Sequence, residues 1–547
     1  MDQAIEAFKS QGIPVLEPGQ SAYDHAIATS NLLYRFSRPE CVVQPESAEH
    51  VQTIVKEAKS RKLKITIKCN GHSYAGHSTA FKGISLDLRR MRKVELDMKS
   101  ATKTVTFDAG CQWGHVYGTL INGGHDGFII NGGRCPTVGV SGFTLGGGLG
   151  PFTRSFGMGS DTLMEADIVT ADGNLVTVKE TDDPTSDKGK LFWALRGAGG
   201  GNFGVVVKLK SKVQQLQNRY GMVVAGRYQW FPKGGFTDDV IATMNDFYTT
   251  DWPNKITIDT TWICDLRQSG SLGGVRFTVA FDGSKYEYDR VIDEHFKREE
   301  LKVQLKRRVL PEKSTRFFYE TLVNQWLEET ERAYPANKTY ELYSSFMFTK
   351  DNKDTIQKVT AIIRDLMASF RADFAGEQVN FLVTWIHSGG KATERKPTDS
   401  AFFWRAAVFH TYVTVEWVDK WMERDMRRFL AKVKKALRPL SLNGEAAFIN
   451  FPDRDFPVRA HERAYFGDNR EELRRVKQIW DEDNFFQWVQ GIRLPGGMEN
   501  EEGGEWGENE EDGEDGDKTD QLASEQWEYY KTGDIVKDRD GLVDLGF

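Results

Sequence analysis

The chain has 547 residues, 39% hydrophobic and 12% aromatic, with a formal net charge of -7. That length is more than one ordinary core fills, so two or more domains are expected, and the apolar share excludes a globally disordered chain. The acidic balance carries no basic footprint for nucleic acid, and no apolar run reaches the roughly 18 residues a membrane span needs.

In chain order, Met1 to Gln11 mixes acids, Lys and apolar residues and lacks the apolar core of a secretory signal. Cys41-Val42-Val43 reads as a short strand. Pro45-Glu46-Ser47 then opens a helix whose apolar face is Val51, Ile54, Val55 and Ala58. Leu63 to Ile67 alternates as a strand and leads into Lys68-Cys69-Asn70-Gly71-His72-Ser73-Tyr74-Ala75-Gly76. Further strands are expected at Lys103 to Phe107 and Ala166 to Thr170. The turn Ala171-Asp172-Gly173-Asn174 joins the latter to Leu175 to Val178 as a hairpin. A Gly cluster, Arg196 to Gly204, precedes Val205-Val206-Val207, and a first α+β unit closes near residue 212.

From Tyr220 to Trp417, strand-like runs recur at Met222 to Tyr228, Ile256 to Ile263, Val275 to Phe281, Leu342 to Phe348, Val379 to Ile386 and Ala407 to Trp417. Helical segments at Thr355 to Phe370 and Val418 to Leu437 lie between or after them. This pattern predicts a large antiparallel sheet with helices on one face. A helix follows at Arg470 to Trp480. The acidic, Gly-rich run Glu499 to Asp517 cannot bury enough apolar surface to order itself, so a disordered tail is expected.

Five cysteines (Cys41, Cys69, Cys111, Cys135 and Cys264) form no dense framework, and their number is odd. The reading is a cytoplasmic, reducing location with Cys135 reserved for chemistry, and a monomer. No grouping has zinc-ligand spacing, and Asp481-Glu482-Asp483 does not make a calcium loop, so no metal is expected. The Gly146-Gly147-Gly148 run fits neither the Walker pattern nor the dinucleotide fingerprint.

Two Gly-rich stretches carry the chemistry. The first surrounds His72. The second is Gly132-Gly133-Arg134-Cys135-Pro136-Thr137-Val138-Gly139-Val140-Ser141-Gly142 and continues through Gly147 and Gly148 to Gly150. Glycines let backbone amides approach a ligand closely and form nests for phosphate oxygens. A lone His or Cys is more often structural. One nucleophile in each of two such loops is a more specific arrangement.

These stretches resemble the covalent flavin site of berberine bridge enzyme-like oxidases, within the vanillyl-alcohol oxidase or PCMH-type FAD-binding superfamily. Phe448-Ile449-Asn450-Phe451 with the segment to Leu494 resembles that family's C-terminal part. Ser388-Gly389-Gly390 and Phe402-Phe403-Trp404-Arg405 are scattered further matches. The resemblance implies an α+β fold: an N-terminal segment (1–34), a two-part PCMH-type FAD-binding domain (35–212) and a substrate domain with a large antiparallel sheet backed by helices (213–440). A berberine-bridge-type segment (441–495) would return to the flavin domain, and the acidic tail (496–547) would follow.

It further implies bicovalent FAD, with His72 bonded to the methyl carbon at the flavin 8 position and Cys135 to C6. The cofactor-binding set would be Asn70, Gly71, His72, Ser73, Gly76, Cys135, Thr137, Val138, Gly139, Val140, Gly142, Gly147, Gly148, Gly199, Gly200, Val206, Asn450 and Phe451. Val138 would also act catalytically, as the gate where oxygen reacts. The expected activity is hydride transfer from a small organic, secondary-metabolite substrate to flavin, with dioxygen as acceptor and hydrogen peroxide as product. Asn70 and Lys68 depart from the family's usual Gly and Arg. Phe451 replaces its usual catalytic Tyr, and Phe cannot accept a proton. Tyr412 and His410, two apart on one strand, are the candidate replacements. Alternatives are a flavin-scaffolded non-redox cyclase, a sugar or alcohol oxidase of the same family, and a cofactor-free binding protein.

Overall fold

The computed structural model describes residues 1–267, 273–327, 338–457 and 460–496. The expectation of a disordered tail, and the open choice between docking and release for Trp527, Tyr529 and Tyr530, therefore lie outside the described residues.

The first sheet holds β1 (Val15–Leu16), β2 (Cys41–Val43), β3 (Ile65–Lys68) and β4 (Ile84–Asp87) in the order β1-β2-β4-β3, with β2 and β3 parallel to β4. The helix Ala48–Ser60 makes the crossover. Ser47 Oγ accepts from His50 N at 3.3 Å to cap it, and it buries the expected Val51, Ile54, Val55 and Ala58.

The second sheet contains β5 (Val94–Asp97), β6 (Thr104–Asp108), β7 (Phe128–Ile130), β8 (Leu163–Thr170), β9 (Leu175–Lys179) and β10 (Gly204–Gln215). Its order is β5-β6-β10-β8-β9, with β7 beside β10. The β8–β9 hairpin turns at Gly173, whose φ of 71° suits a residue without Cβ, and Gly173 N donates to Thr170 O at 2.9 Å.

The third sheet has seven strands: β11 (Met222–Trp230), β12 (Ile256–Asp265), β13 (Gly274–Asp282), β14 (Val309–Lys313), β15 (Tyr340–Phe348), β16 (Val379–His387) and β17 (Phe409–Trp417). The order is β14-β11-β13-β12-β16-β17-β15, and every pair is antiparallel. Side chains alternate between faces. Phe409, Val413, Val415 and Trp417 enter a core with the helices Asp238–Thr249, Lys353–Asp373 and Glu423–Leu437. Tyr343, Met347, Ile386 and Tyr412 enter a separate cluster with Phe402, Trp404 and Phe448. The expected sheet backed by helices is thus present, with its other face turned to the Gly-rich loops.

The C-terminal segment returns to the first unit. Lys477, on the helix Arg470–Trp480, donates from Nζ to Asn202 O at 2.7 Å and to Asp481 Oδ2 at 2.6 Å. Asn202 Oδ1 accepts from Trp488 Nε1 at 3.2 Å and from Ile492 N at 3.1 Å. Residues 477–492 are thereby fastened to the Gly197–Gly204 turn.

Candidate active site

The strand β3 delivers His72 on a loop shaped by Gly71 (φ 81°) and Gly76 (φ 74°). A Cβ on Gly76 would lie 2.5 Å from Tyr34 Cε1, so no larger residue fits there. Asn70 has no positive φ and does not need to be Gly. Its Nδ2 donates to Gly110 O and Cys111 O, both at 3.3 Å, and its Oδ1 accepts from Gln112 Nε2 at 3.1 Å. The departure at this position ties the His72 loop to the start of the next helix. Lys68 is buried, donates to Ala26 O at 2.8 Å, and burial lowers its pKa. Ser73 Oγ accepts from His77 N at 3.1 Å and closes the loop.

The Cys135 loop is held along its length by the helix Trp113–Asn122. Tyr117 Oη donates to Gly133 O at 2.6 Å, Gly114 N to Pro136 O at 2.8 Å, and Trp113 N to Val138 O at 3.1 Å. Between the loops stands Thr137. Its Oγ1 is 3.1 Å from Cys135 Sγ and 3.3 Å from His72 Nε2, so one hydroxyl touches both nucleophiles.

A cavity of about 1260 Å³ runs past them. Asn70, Gly71, His72, Ser73, Gly76, Cys135, Val138, Gly139, Gly142, Gly199, Gly200, Val206, Asn450, Phe451 and Tyr412 all line it. Four residues of the sequence-derived cofactor set do not. Thr137 works through its hydroxyl, and Val140 is buried in the core. Gly147 and Gly148 are packing glycines, because a Cβ on either would strike Met158 or Phe143 at 2.6 and 2.4 Å.

The cavity wall lets a ligand come close to the backbone. Gly71, Gly199 and Gly201 turn along its wall with positive φ, and a Cβ on Gly142 would project into open space, with no protein atom within 4 Å. Asn450 Nδ2 donates to Phe143 O at 2.9 Å, and Gly146 makes room for its side chain. These features fit FAD.

At the substrate-sheet end the walls are aromatic and aliphatic: Tyr74, Tyr412, Phe448, Phe451, Ile386 and Trp326. Tyr74 stacks on Tyr343 at 3.9 Å between centroids, and Tyr343 Oη donates to the buried carboxylate of Glu341. His410 shares the face of Tyr412 but does not reach the cavity. Its ring lies behind Phe448 (5.0 Å) and beside Phe402 (5.8 Å), its Nδ1 is without a hydrogen-bond partner, and burial pushes its pKa down to about 3.

Residues 39–179 match the FAD binding domain family, and residues 447–493 match the family described as berberine and berberine like. An uncharacterized FAD-linked oxidoreductase of Bacillus subtilis, YvdP, is 28% identical over 487 residues, spanning 87% of this chain and 97% of that protein. The tetrahydroberberine oxidase of Argemone mexicana is 26% identical over 530 residues, 89% of this chain and 90% of that one. The chain is an FAD-linked oxidoreductase that resembles the berberine bridge enzyme-like proteins. A solved berberine bridge enzyme variant superposes with a TM-score of 0.76 at 19% identity, covering 90% of this chain and 99% of that structure.

As an FAD-linked oxidoreductase, the chain takes FAD as cofactor, and its third sheet is the substrate-domain sheet. Among the described residues no helix is long and apolar enough to cross a membrane. Sequence reasoning overlooked several residues of the site. Tyr74 and Arg134 sit inside the two conspicuous stretches, and their nearness to His72 and Cys135 was an available signal. Asp259, Glu341 and Tyr343 gave none, because each matters only through a partner on another strand or loop.

Proposed function

We propose that this berberine bridge enzyme-like protein is an oxidase with bicovalent FAD, attached through His72 and Cys135, acting on a small organic substrate with an apolar or aromatic body. The observation that carries it is the shared Thr137 hydroxyl, 3.1 Å from Cys135 Sγ and 3.3 Å from His72 Nε2 beside one cavity. Bound FAD would supply a hydride acceptor that dioxygen reoxidises, with hydrogen peroxide as product. The glycine loops would hold its phosphates, and Asn450, which lines the same cavity, would contact the cofactor. Val138, on the Cys135 loop where it lines the cavity, governs room for oxygen.

The substrate lies against Tyr74, Tyr412, Phe448 and Phe451, whose faces exclude water and orient a flat apolar body. Tyr412 is the proton acceptor. It lines the cavity beside Phe451, the position from which the usual tyrosine is missing. His410 is set aside, because a neutral imidazole with a pKa of about 3 behind Phe448 is a weak base. The domain limits 35–212, 213–440 and 441–495 form part of the same reading, as do a monomeric state and a cytoplasmic location. A screen of alcohols, phenols, amines and sugars for peroxide release tests the activity. Flavin-loaded protein that releases no peroxide but rearranges a substrate would instead make the site a non-redox cyclase.

A further inference from the structure

Arg134 precedes Cys135 and reaches out of its loop into the substrate sheet. Its side chain is 6% exposed, as is that of its partner Asp259 on β12. The contact is a two-pronged fork: Nη2 donates to Asp259 Oδ1 at 3.0 Å, and Nε donates to Oδ2. The remaining nitrogen, Nη1, donates to Leu149 O at 2.6 Å. Asp259 Oδ1 also accepts from His387 N, at the end of β16, at 2.8 Å. His387 Nδ1 in turn accepts from Ile258 N at 3.2 Å. One guanidinium thus joins the Cys135 loop, the Gly146–Gly150 turn and two strands of the substrate sheet. Arg134, Cys135 and Leu149 all line the cavity.

We propose that the Arg134–Asp259 pair is a positioning device that aims the Cys135 thiol at the flavin and couples that aim to docking of the substrate sheet. This rests on the reading of Cys135 as an attachment residue. Stability alone gives a poor reason for the pair, since two buried charges are costly to desolvate and apolar replacements often do as well. Geometry gives a better one. The other hydrogen bonds that hold the loop come from within the flavin half of the molecule, from the helix Trp113–Asn122 and from Cys111 O, which accepts from Val140 N at 3.0 Å, whereas Arg134 is braced against the opposite half.

Attachment demands that a sulfur and a ring carbon meet within bonding distance. A misplacement of about 1 Å is enough to slow such a step roughly a hundredfold. In that step a C–H and the S–H bond are lost, a C–S bond forms, and dioxygen takes up the two hydrogens as hydrogen peroxide. His72 sits on a separate loop that the guanidinium does not touch, and it meets the Cys135 loop through the Thr137 hydroxyl, so its linkage should outlast loss of the pair. Lys cannot reproduce the planar fork.

The test compares Arg134→Lys, Asp259→Asn and the apolar double variant Arg134→Met/Asp259→Leu with the wild type. Each purified protein is denatured and digested, and the flavin on the His72 and Cys135 peptides is quantified by mass spectrometry. Melting temperatures are recorded in parallel. The expected result is full His72 linkage throughout and a drop of at least about tenfold in Cys135 linkage in all three variants. The double variant should do this with a melting temperature close to wild type, which separates aim from stability. Should the single variants fail to fold, the double variant, which leaves no unpaired buried charge, carries the test. Wild-type levels of Cys135 linkage in the double variant would overturn the positioning role. A wild type without flavin on Cys135 would instead sink the underlying bicovalent reading, and the positioning role with it.

Discussion

The ring of Tyr412 lies 4.5 Å from that of Phe451, centroid to centroid, at a tilt of 46°. Tyr412 comes from β17 and Phe451 from the returning C-terminal segment, so two distant parts of the chain meet at this point of the cavity. A phenol lost from position 451 is therefore matched by a phenol one ring away, on a rigid strand.

Tyr412→Phe should slow anaerobic flavin reduction by at least about a hundredfold, the loss expected when general-base help is removed. His410→Phe should leave that rate near wild type, because it exchanges a buried imidazole, its Nδ1 without a partner, for an apolar ring among Phe402 and Phe448. Stopped-flow reduction of the two variants decides. A slow His410→Phe with a normal Tyr412→Phe reverses the assignment.

Val138→Leu should slow reoxidation by oxygen by about tenfold or more while reduction stays nearly unchanged. Val138 N donates to Cys135 O at 3.2 Å and its carbonyl accepts from Trp113, so the backbone cannot retreat from a larger side chain. Mixing reduced enzyme with aerated buffer measures this directly, and an unaltered rate removes Val138 from the gate.

Lys477→Met should destabilise the protein by about 3–5 kcal/mol in urea titrations, the range for breaking a buried pair from one side. Lys477 and Asp481 are both fully buried, and the ammonium also holds Asn202 O. A loss under about 1 kcal/mol would match an exposed pair and contradict that anchoring role.

Burial holds His410 at about 3, against 6.5 in the open chain. Below pH 6.5 the unfolded chain takes up this proton and the folded one does not, until pH nears 3. The stability present above 6.5 is thus lost steadily between these limits, at about 1.4 kcal/mol per pH unit. Urea titrations between pH 4.5 and 7.5 should show a slope shallower by that amount in His410→Phe. Equal slopes would mean that His410 is not held neutral.

Much of this architecture was legible because its signals are local. Val51, Ile54, Val55 and Ala58 mark one helix face. The Asp172-Gly173 turn marks a hairpin, and strict alternation marks β17. The strand β14 was missed because Pro311 argues against a central strand. It occupies the sheet edge beside β11 alone, the place where a sheet tolerates proline. At the site, the glycines and both nucleophiles could be read from spacing. That Thr137 would meet His72 across 65 positions, or Arg134 meet Asp259 across 125, could not, since no local pattern encodes which distant loop arrives. The same limit left His410 and Tyr412 equivalent in the sequence. Only packing shows that Phe448 stands before one and the cavity before the other.

The most direct test of the account is the mass of the denatured wild-type chain, followed by peptide mapping. The expected result is one FAD retained per chain, with a single crosslinked species joining the His72 and Cys135 peptides through the flavin. Complete release of flavin on denaturation, with both peptides unmodified, would contradict it.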